Sequence, residues 1–239
     1  MTAPHTPESL LRGNPYPGRG ILLGLTPDGR QAAAAYFIMG RSENSRNRIF
    51  EEKGSEVFTA PFDASRVQDP SLIIYAAIRT QGNRLIVTNG DQTDTIHDGL
   101  AAGKSFADSL SARIFEPDAP NFTPRISGLY TLFPDAPRYE LSILKSASAE
   151  GTACNRFFFT YAPLPGLGHL LHTYQGDGSP LPSFEGEPRP VAVPASAREL
   201  ATRLWNALDP DNRISLYVRY VTLADGSTEN ILLNKYPEA

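Results

Sequence analysis

Ile21-Leu22-Leu23-Gly24-Leu25, then Pro27-Asp28-Gly29, then Ala32-Ala33-Ala34-Ala35-Tyr36-Phe37-Ile38-Met39, is the stretch from which the fold is read. Two apolar runs flank a turn whose chemistry is local. Proline presets φ for the turn, and glycine takes the positive φ that closes it. The runs over 21–25 and 32–39 therefore pair as a hairpin. The small alanines in the second run argue for close packing between layers. The hairpin delivers Gly40-Arg41-Ser42-Glu43-Asn44-Ser45-Arg46-Asn47-Arg48 to one end of a sheet. Loops at strand ends are where a rigid scaffold presents chemistry.

That loop carries three arginines against one glutamate, in a chain whose formal net charge is -4. Guanidinium groups hold phosphate or carboxylate oxygens in pairs and stay charged at any working pH. Ser42 and Asn44 add neutral donors without bulk. The loop reads as an anion cradle, with phosphate the favoured guest; the plain alternative is a solvated polar loop.

With 239 residues, 41% of them hydrophobic, the chain is long enough for one sizeable core. The acidic balance disfavours nucleic acid and anionic membrane as partners. No apolar run is long enough to span a bilayer. The opening 18 residues carry four prolines and no apolar core, so no signal peptide is expected. A single cysteine, Cys154, rules out an intrachain disulfide, and an inert thiol is the simpler reading. A cytoplasmic protein is expected, with residues 1–13 a flexible tail and 14–239 one domain. Oligomeric state, including a homo-oligomer, stays open.

Outward from the hairpin, the chain reads as strands with few helices. Strands are expected over 56–62, 71–79 and 84–89, the middle one buried on both faces, with Tyr75 in it either a core aromatic or a site phenol. Asn89-Gly90-Asp91 makes a tight turn into a helix beginning near Thr95, capped by Asp91 or Thr93. Gly103 ends it, and Ser105 with Asp108 starts a second, short helix. The 115–125 segment is an extended loop holding Glu116, Asp118, Thr123 and Arg125. Strands over 126–133 and 138–145 follow, then a strand pair over 155–161 and 169–174. A long Gly/Pro-rich loop over 176–190 suggests function by its length. Ser196 with Glu199 caps a helix to Leu208, with Trp205 expected in the core. A hairpin over 214–223 and 229–233 closes the chain. About ten strands, mostly antiparallel, with few clustered helices argue α+β, and two stacked sheets with outer helices suit this inventory.

No Walker loop, dinucleotide fingerprint or nucleophile elbow is present. His169 and His172 fall on opposite faces of a strand, so no metal site is expected there.

Three segments carry a resemblance: Gly40-Arg41-Ser42 with Arg46-Asn47-Arg48, Thr88-Asn89-Gly90-Asp91-Gln92-Thr93-Asp94, and Thr123-Pro124-Arg125-Ile126. In this order they resemble the archaeal-type inosine monophosphate cyclohydrolase family. Asn14-Pro15-Tyr16-Pro17-Gly18-Arg19-Gly20 and Gly176-Asp177-Gly178 with Pro182-Ser183-Phe184-Glu185-Gly186-Glu187 resemble its bacterial branch. The resemblance covers about residues 14–235. It implies a four-layer αββα sandwich like that of the N-terminal-nucleophile hydrolases, without their nucleophile. It implies closure of 5-formamidoimidazole-4-carboxamide ribonucleotide to inosine monophosphate (IMP), with no metal or cofactor. Tyr75, Arg46 and Glu116 match the family's proposed catalytic tyrosine, arginine and glutamate. Arg41, Arg48 and Arg125 are expected on the phosphate, with Ser42, Asn44, Asn89, Gly90, Asp91 and Thr123 along the nucleotide. Arg46 competes with Arg48, and Glu116 with Asp118, for one place each. Two rivals stand beside this reading: a non-catalytic purine-nucleotide-binding protein, and an amidohydrolase acting on another substrate.

Overall fold

The computed structural model describes residues 4–67, 74–133 and 137–236. In chain order the elements are α1 (Pro7–Leu11), β1 (Arg19–Leu25), β2 (Gln31–Met39), α2 (Glu43–Arg46), β3 (Ile49–Lys53), β4 (Glu56–Ala60), β5 (Ala76–Gln81) and β6 (Arg84–Thr88). Then come α3 (Gln92–Ala101), α4 (Phe106–Ser109), β7 (Arg125–Thr131), β8 (Arg138–Ser146), β9 (Cys154–Tyr161), β10 (Leu167–His172), β11 (Arg189–Ala192), α5 (Ala197–Ala207), β12 (Arg213–Thr222) and β13 (Thr228–Asn234). The fold is α+β, with two antiparallel sheets and few helices. One sheet has the order β11-β10-β1-β2-β12-β13; the other runs β3-β4-β5-β6-β7-β8-β9.

The opening hairpin pairs as its turn demands, Leu25 opposite Ala32 and Arg19 opposite Ile38. β2 lies in mid-sheet and is buried on both faces. Ala32, Ala34, Tyr36 and Ile38 meet a core shared with β4 to β8 of the other sheet. Ala33, Ala35, Phe37 and Met39 meet α5 and the α1 side chain Leu11. A strand covered twice loses the apolar/polar alternation, and alanine lets both neighbours approach. A third cluster joins α3 and α4 to β6, β7 and β8. Where β7 crosses β1, a Cβ on Gly128 would lie 2.9 Å from Leu23.

α5 buries Ala197, Leu200, Ala201, Leu204 and Ala207 along one stripe, and Ser196 Oγ accepts from the Glu199 amide at 3.2 Å. Ser196→Ala removes that cap. It should cost about 1 kcal/mol and lower Tm by about 2–4 °C, read by thermal melting.

Several expectations change. Residues 7–11, read as tail, form a helix with a reciprocal Thr6–Ser9 cap and a buried Leu11. The strand expected over 71–79 begins at Ala76; residues 71–73 lie outside the described set, and Ile74 is 47% exposed rather than buried. The helix expected near Thr95 starts at Gln92, and Asp91 makes no side-chain cap bond there. Trp205 is half-buried at the rim, under the Arg213 guanidinium, rather than in the core. β9 and β10 are not a strand pair: β9 pairs with β8 and β10 with β1, in different sheets. The turn between them changes sheet instead of reversing within one. β3, β11 and α2 were not anticipated. Among the described residues no helix is long and apolar enough to cross a membrane.

Candidate active site

A cavity of about 310 Å³ opens where the β2 exit, the start of β1, the 115–125 loop and the segment after β10 converge. This is the size of a small-ligand pocket. Arg19, Arg41, Ser42, Asn44, Arg48, Glu116, Asp118 and Thr123 line it, with Tyr16 and Tyr174 among the aromatic walls.

The β2 exit is shaped by Gly40. Its amide donates to Asn212 O at 2.8 Å, and a Cβ there would lie 2.6 Å from Ser45 O. Ser42 caps the single turn of α2, its Oγ accepting from the Ser45 amide. Arg41 leans over the Tyr16 ring and is bound by Asp177 and by Gly178 O, the latter at 2.9 Å. Arg48 is buried; its Nε donates to Ser45 O at 2.9 Å and its Nη2 to Met39 O at 3.2 Å. Arg48 therefore clamps the loop that carries it while still facing the cavity. Burial, and then the Arg19 charge, depress its pKa.

Arg46 faces the other way. Its guanidinium donates to Gly40 O and Asn212 Oδ1, and it lines a neighbouring cleft with Arg66, Phe62 and Tyr236. Of the two competing arginines, the cavity holds Arg48.

The 115–125 loop resolves its carboxylates in the same way. Asp118 accepts from the Thr123 amide at 2.6 Å and from the Thr123 hydroxyl, which also meets Tyr174 Oη at 2.5 Å. Asp118 is thus a brace. Glu116 is only 4% exposed, and its carboxylate has no hydrogen bond or ion pair among the described residues. Burial drives its pKa up to about 7; Arg19, Arg125 and Arg48 pull it down, and Asp118 adds to the rise. A carboxyl with a pKa near neutrality and a free face suits proton transfer.

Tyr75 stands behind the lining, 6% exposed, its hydroxyl 2.8 Å from that of Tyr36. The pair links the two sheets. Burial raises the Tyr75 pKa, opposed by Arg48 and Arg19, so its phenol lies within the field of the cavity's cations.

Asn89, Gly90, Asp91 and Arg125 do not line the cavity. Asn89 bonds Pro124 O, the Ile126 amide and Gln92. Arg125 donates to Asp91 at 2.6 Å and to Gln92 at 2.7 Å, and Asp91 also pairs with Arg113. A Cβ on Gly90 would stand 3.6 Å from Glu116 Oε1. Asn89, Asp91 and Arg125 are each held by neighbouring groups outside the lining. Among the described residues, no group of three or more His, Cys, Asp or Glu gathers as a metal site.

Sequence reading passed over Arg19, Tyr16 and Tyr174. The first two stand in the Asn14–Gly20 segment that carried part of the resemblance. Gly18 brings that segment in: its φ is +81°, and a Cβ would fall 2.5 Å from the Tyr174 ring.

A family model described as IMP cyclohydrolase-like protein matches residues 16–226. The IMP cyclohydrolase of Methanopyrus kandleri is 32% identical over 172 residues, covering 70% of this chain and 79% of that protein. Those of Methanothrix thermoacetophila and Methanococcus aeolicus are 36% and 30% identical. These two matches cover 48% and 47% of this chain, and 57% and 56% of the relatives' own lengths.

Proposed function

Since the chain belongs to the IMP cyclohydrolase-like protein family, we propose that it is an IMP cyclohydrolase, closing 5-formamidoimidazole-4-carboxamide ribonucleotide to IMP with loss of water. The observation that carries this is the free, buried Glu116 with its pKa near 7, facing three guanidiniums across one small cavity. Cations gathered in a confined site attract a nucleotide monophosphate. Arg41, Ser42 and Asn44 at the α2 end take the phosphate, and Thr123 lies along the nucleotide.

In the reaction the carboxamide nitrogen attacks the formyl carbon of the same molecule. Holding both ends in register is worth up to about 7–11 kcal/mol. Glu116, ionised, accepts the proton that the carboxamide nitrogen loses. Tyr75 sits behind the reacting end, and the Tyr36 hydroxyl orients its phenol. Arg48 supplies positive charge at the place first ascribed to Arg46. The three packing clusters support a four-layer αββα arrangement of the N-terminal-nucleophile-hydrolase kind, each sheet carrying helices on its outer face.

The test is direct. Purified protein given the formamido nucleotide should yield a product with the ultraviolet spectrum of IMP. Tight binding of IMP without turnover would instead select a nucleotide-binding protein that has lost the chemistry.

A further inference from the structure

The arginines in and around the cavity divide by what they already hold. Arg41 is bound by Asp177 and Gly178 O, and Arg48 commits two nitrogens to the carbonyls of Ser45 and Met39. Arg46 turns to the neighbouring cleft, and Arg125 is held by Asp91 and Gln92. Arg19 differs. Its side chain lines the cavity, yet no nitrogen of its guanidinium makes a hydrogen bond or ion pair among the described residues, and its Nε is shut from solvent. Buried donors are nearly always paired, so an orphan in a cavity wall points to a ligand atom.

The backbone of Arg19 is fixed. Its amide donates to Thr173 Oγ1 at 3.1 Å, and the Thr173 amide returns a bond to Arg19 O at 2.9 Å. The side chain therefore starts from a rigid sheet position. Its charge is felt by Glu116, Tyr16, Tyr174 and Tyr75. Arg19 and Glu116 nevertheless form no ion pair. Two opposite charges held apart across a cavity leave room for a substrate group between them.

We propose that Arg19 is a catalytic residue of this ring closure, its guanidinium receiving the formyl oxygen as negative charge gathers there. The inference rests on the cyclohydrolase reading and adds a role to it. As the carboxamide nitrogen bonds to the formyl carbon, the C=O π pair moves onto oxygen beside Arg19. Glu116 takes one proton from the carboxamide nitrogen and passes it to that oxygen. The hydroxyl then leaves as water with the proton of the formamido nitrogen, and a C=N bond remains. Donors aimed at the developing charge accelerate the chemical step more than they tighten ground-state binding.

The experiment compares wild-type protein with Arg19→Gln and Arg19→Lys. Arg19→Gln should lower kcat by about 10²–10³-fold, with KM moved by less than about threefold. Arg19→Lys, which keeps the charge without the planar fork, should fall between. A second readout is the pH profile of kcat/KM. Glu116 is faced by Arg19, Arg48 and Arg125, by Asp118 on its own loop, and by Tyr75. Removing the Arg19 charge should move the acid limb to higher pH; a merely structural residue would leave it in place. An inactive wild type removes the cyclohydrolase reading itself. An active wild type with Arg19→Gln at full kcat, or with KM alone raised, overturns the Arg19 assignment. Should Arg19→Gln melt below assay temperature, Arg19→Lys decides: wild-type kcat and an unmoved acid limb overturn the proposal.

Discussion

Glu116→Gln is expected to lower kcat by about 10²–10⁴-fold, the usual contribution of a positioned proton-transfer group. The same substitution should raise thermal stability above neutrality. The Glu116 carboxylate makes no hydrogen bond or ion pair among the described residues, so glutamine breaks no side-chain bond of the folded protein. It removes a charge that burial disfavours. The sign follows from the shift: the folded pKa, about 7, lies above the ordinary value of 4.5. The folded state therefore holds this proton more tightly than the unfolded chain does. The stability it lends is complete below the unfolded pKa and is lost as pH rises to about 7. At pH 8 the glutamine protein should be more stable than wild type by about 1–3 kcal/mol, and at pH 4 the two should melt alike. The wild-type kcat/KM should fall as pH drops through about 7, because the base must be ionised to accept a proton. A glutamine variant with full activity, or one that melts earlier at pH 8, would contradict this assignment.

The second large effect is expected at a residue with no functional group. Gly40→Ala would set a Cβ 2.6 Å from Ser45 O, 2.7 Å from Ser45 C and 2.9 Å from the Arg46 amide nitrogen. All three are backbone atoms, so no side chain can swing aside to make room. The loop itself must move, carrying Arg41, Ser42 and the Arg48 clamp with it. A displacement of about 1 Å in a positioning element can cost about 10²-fold in rate. The expected result is a fall of that order in kcat/KM. The melting temperature should move far less than activity does, because β2 and the cores behind it are untouched. Steady-state kinetics beside a melting curve distinguish this from general unfolding.

The two residues also mark how much the sequence reveals. The opening hairpin was legible because its evidence is local: Pro27-Asp28-Gly29 sets a turn, and the apolar runs on either side set the strands. The helix caps at Ser105 and Ser196 were legible for the same reason. Partner choice between strands is not local. The Pro163–Gly166 segment has the chemistry of a hairpin turn, yet β9 and β10 part into different sheets. β9 takes β8 as its partner and β10 takes β1, and nothing in the turn records it.

The site follows the same division. Arg41, Ser42, Arg48 and Glu116, singled out from their motifs, all line the cavity. Whether Arg46 or Arg48 enters the cavity depends on one turn of helix that rotates them apart. Asp118 and Glu116 are separated only by what Thr123 does with its amide and hydroxyl. Arg19 was overlooked because lack of a partner is a property of the folded chain, never of a residue type.

The Tyr36–Tyr75 contact ties one sheet to the other behind the cavity lining. Arg19 and Tyr174 belong to the first sheet and its exit, while Arg48 and Glu116 lead into strands of the second. Neither half therefore lines the cavity by itself. On the proposed roles, turnover requires both sheets to be docked, so activity during refolding should return no earlier than the signals of sheet packing.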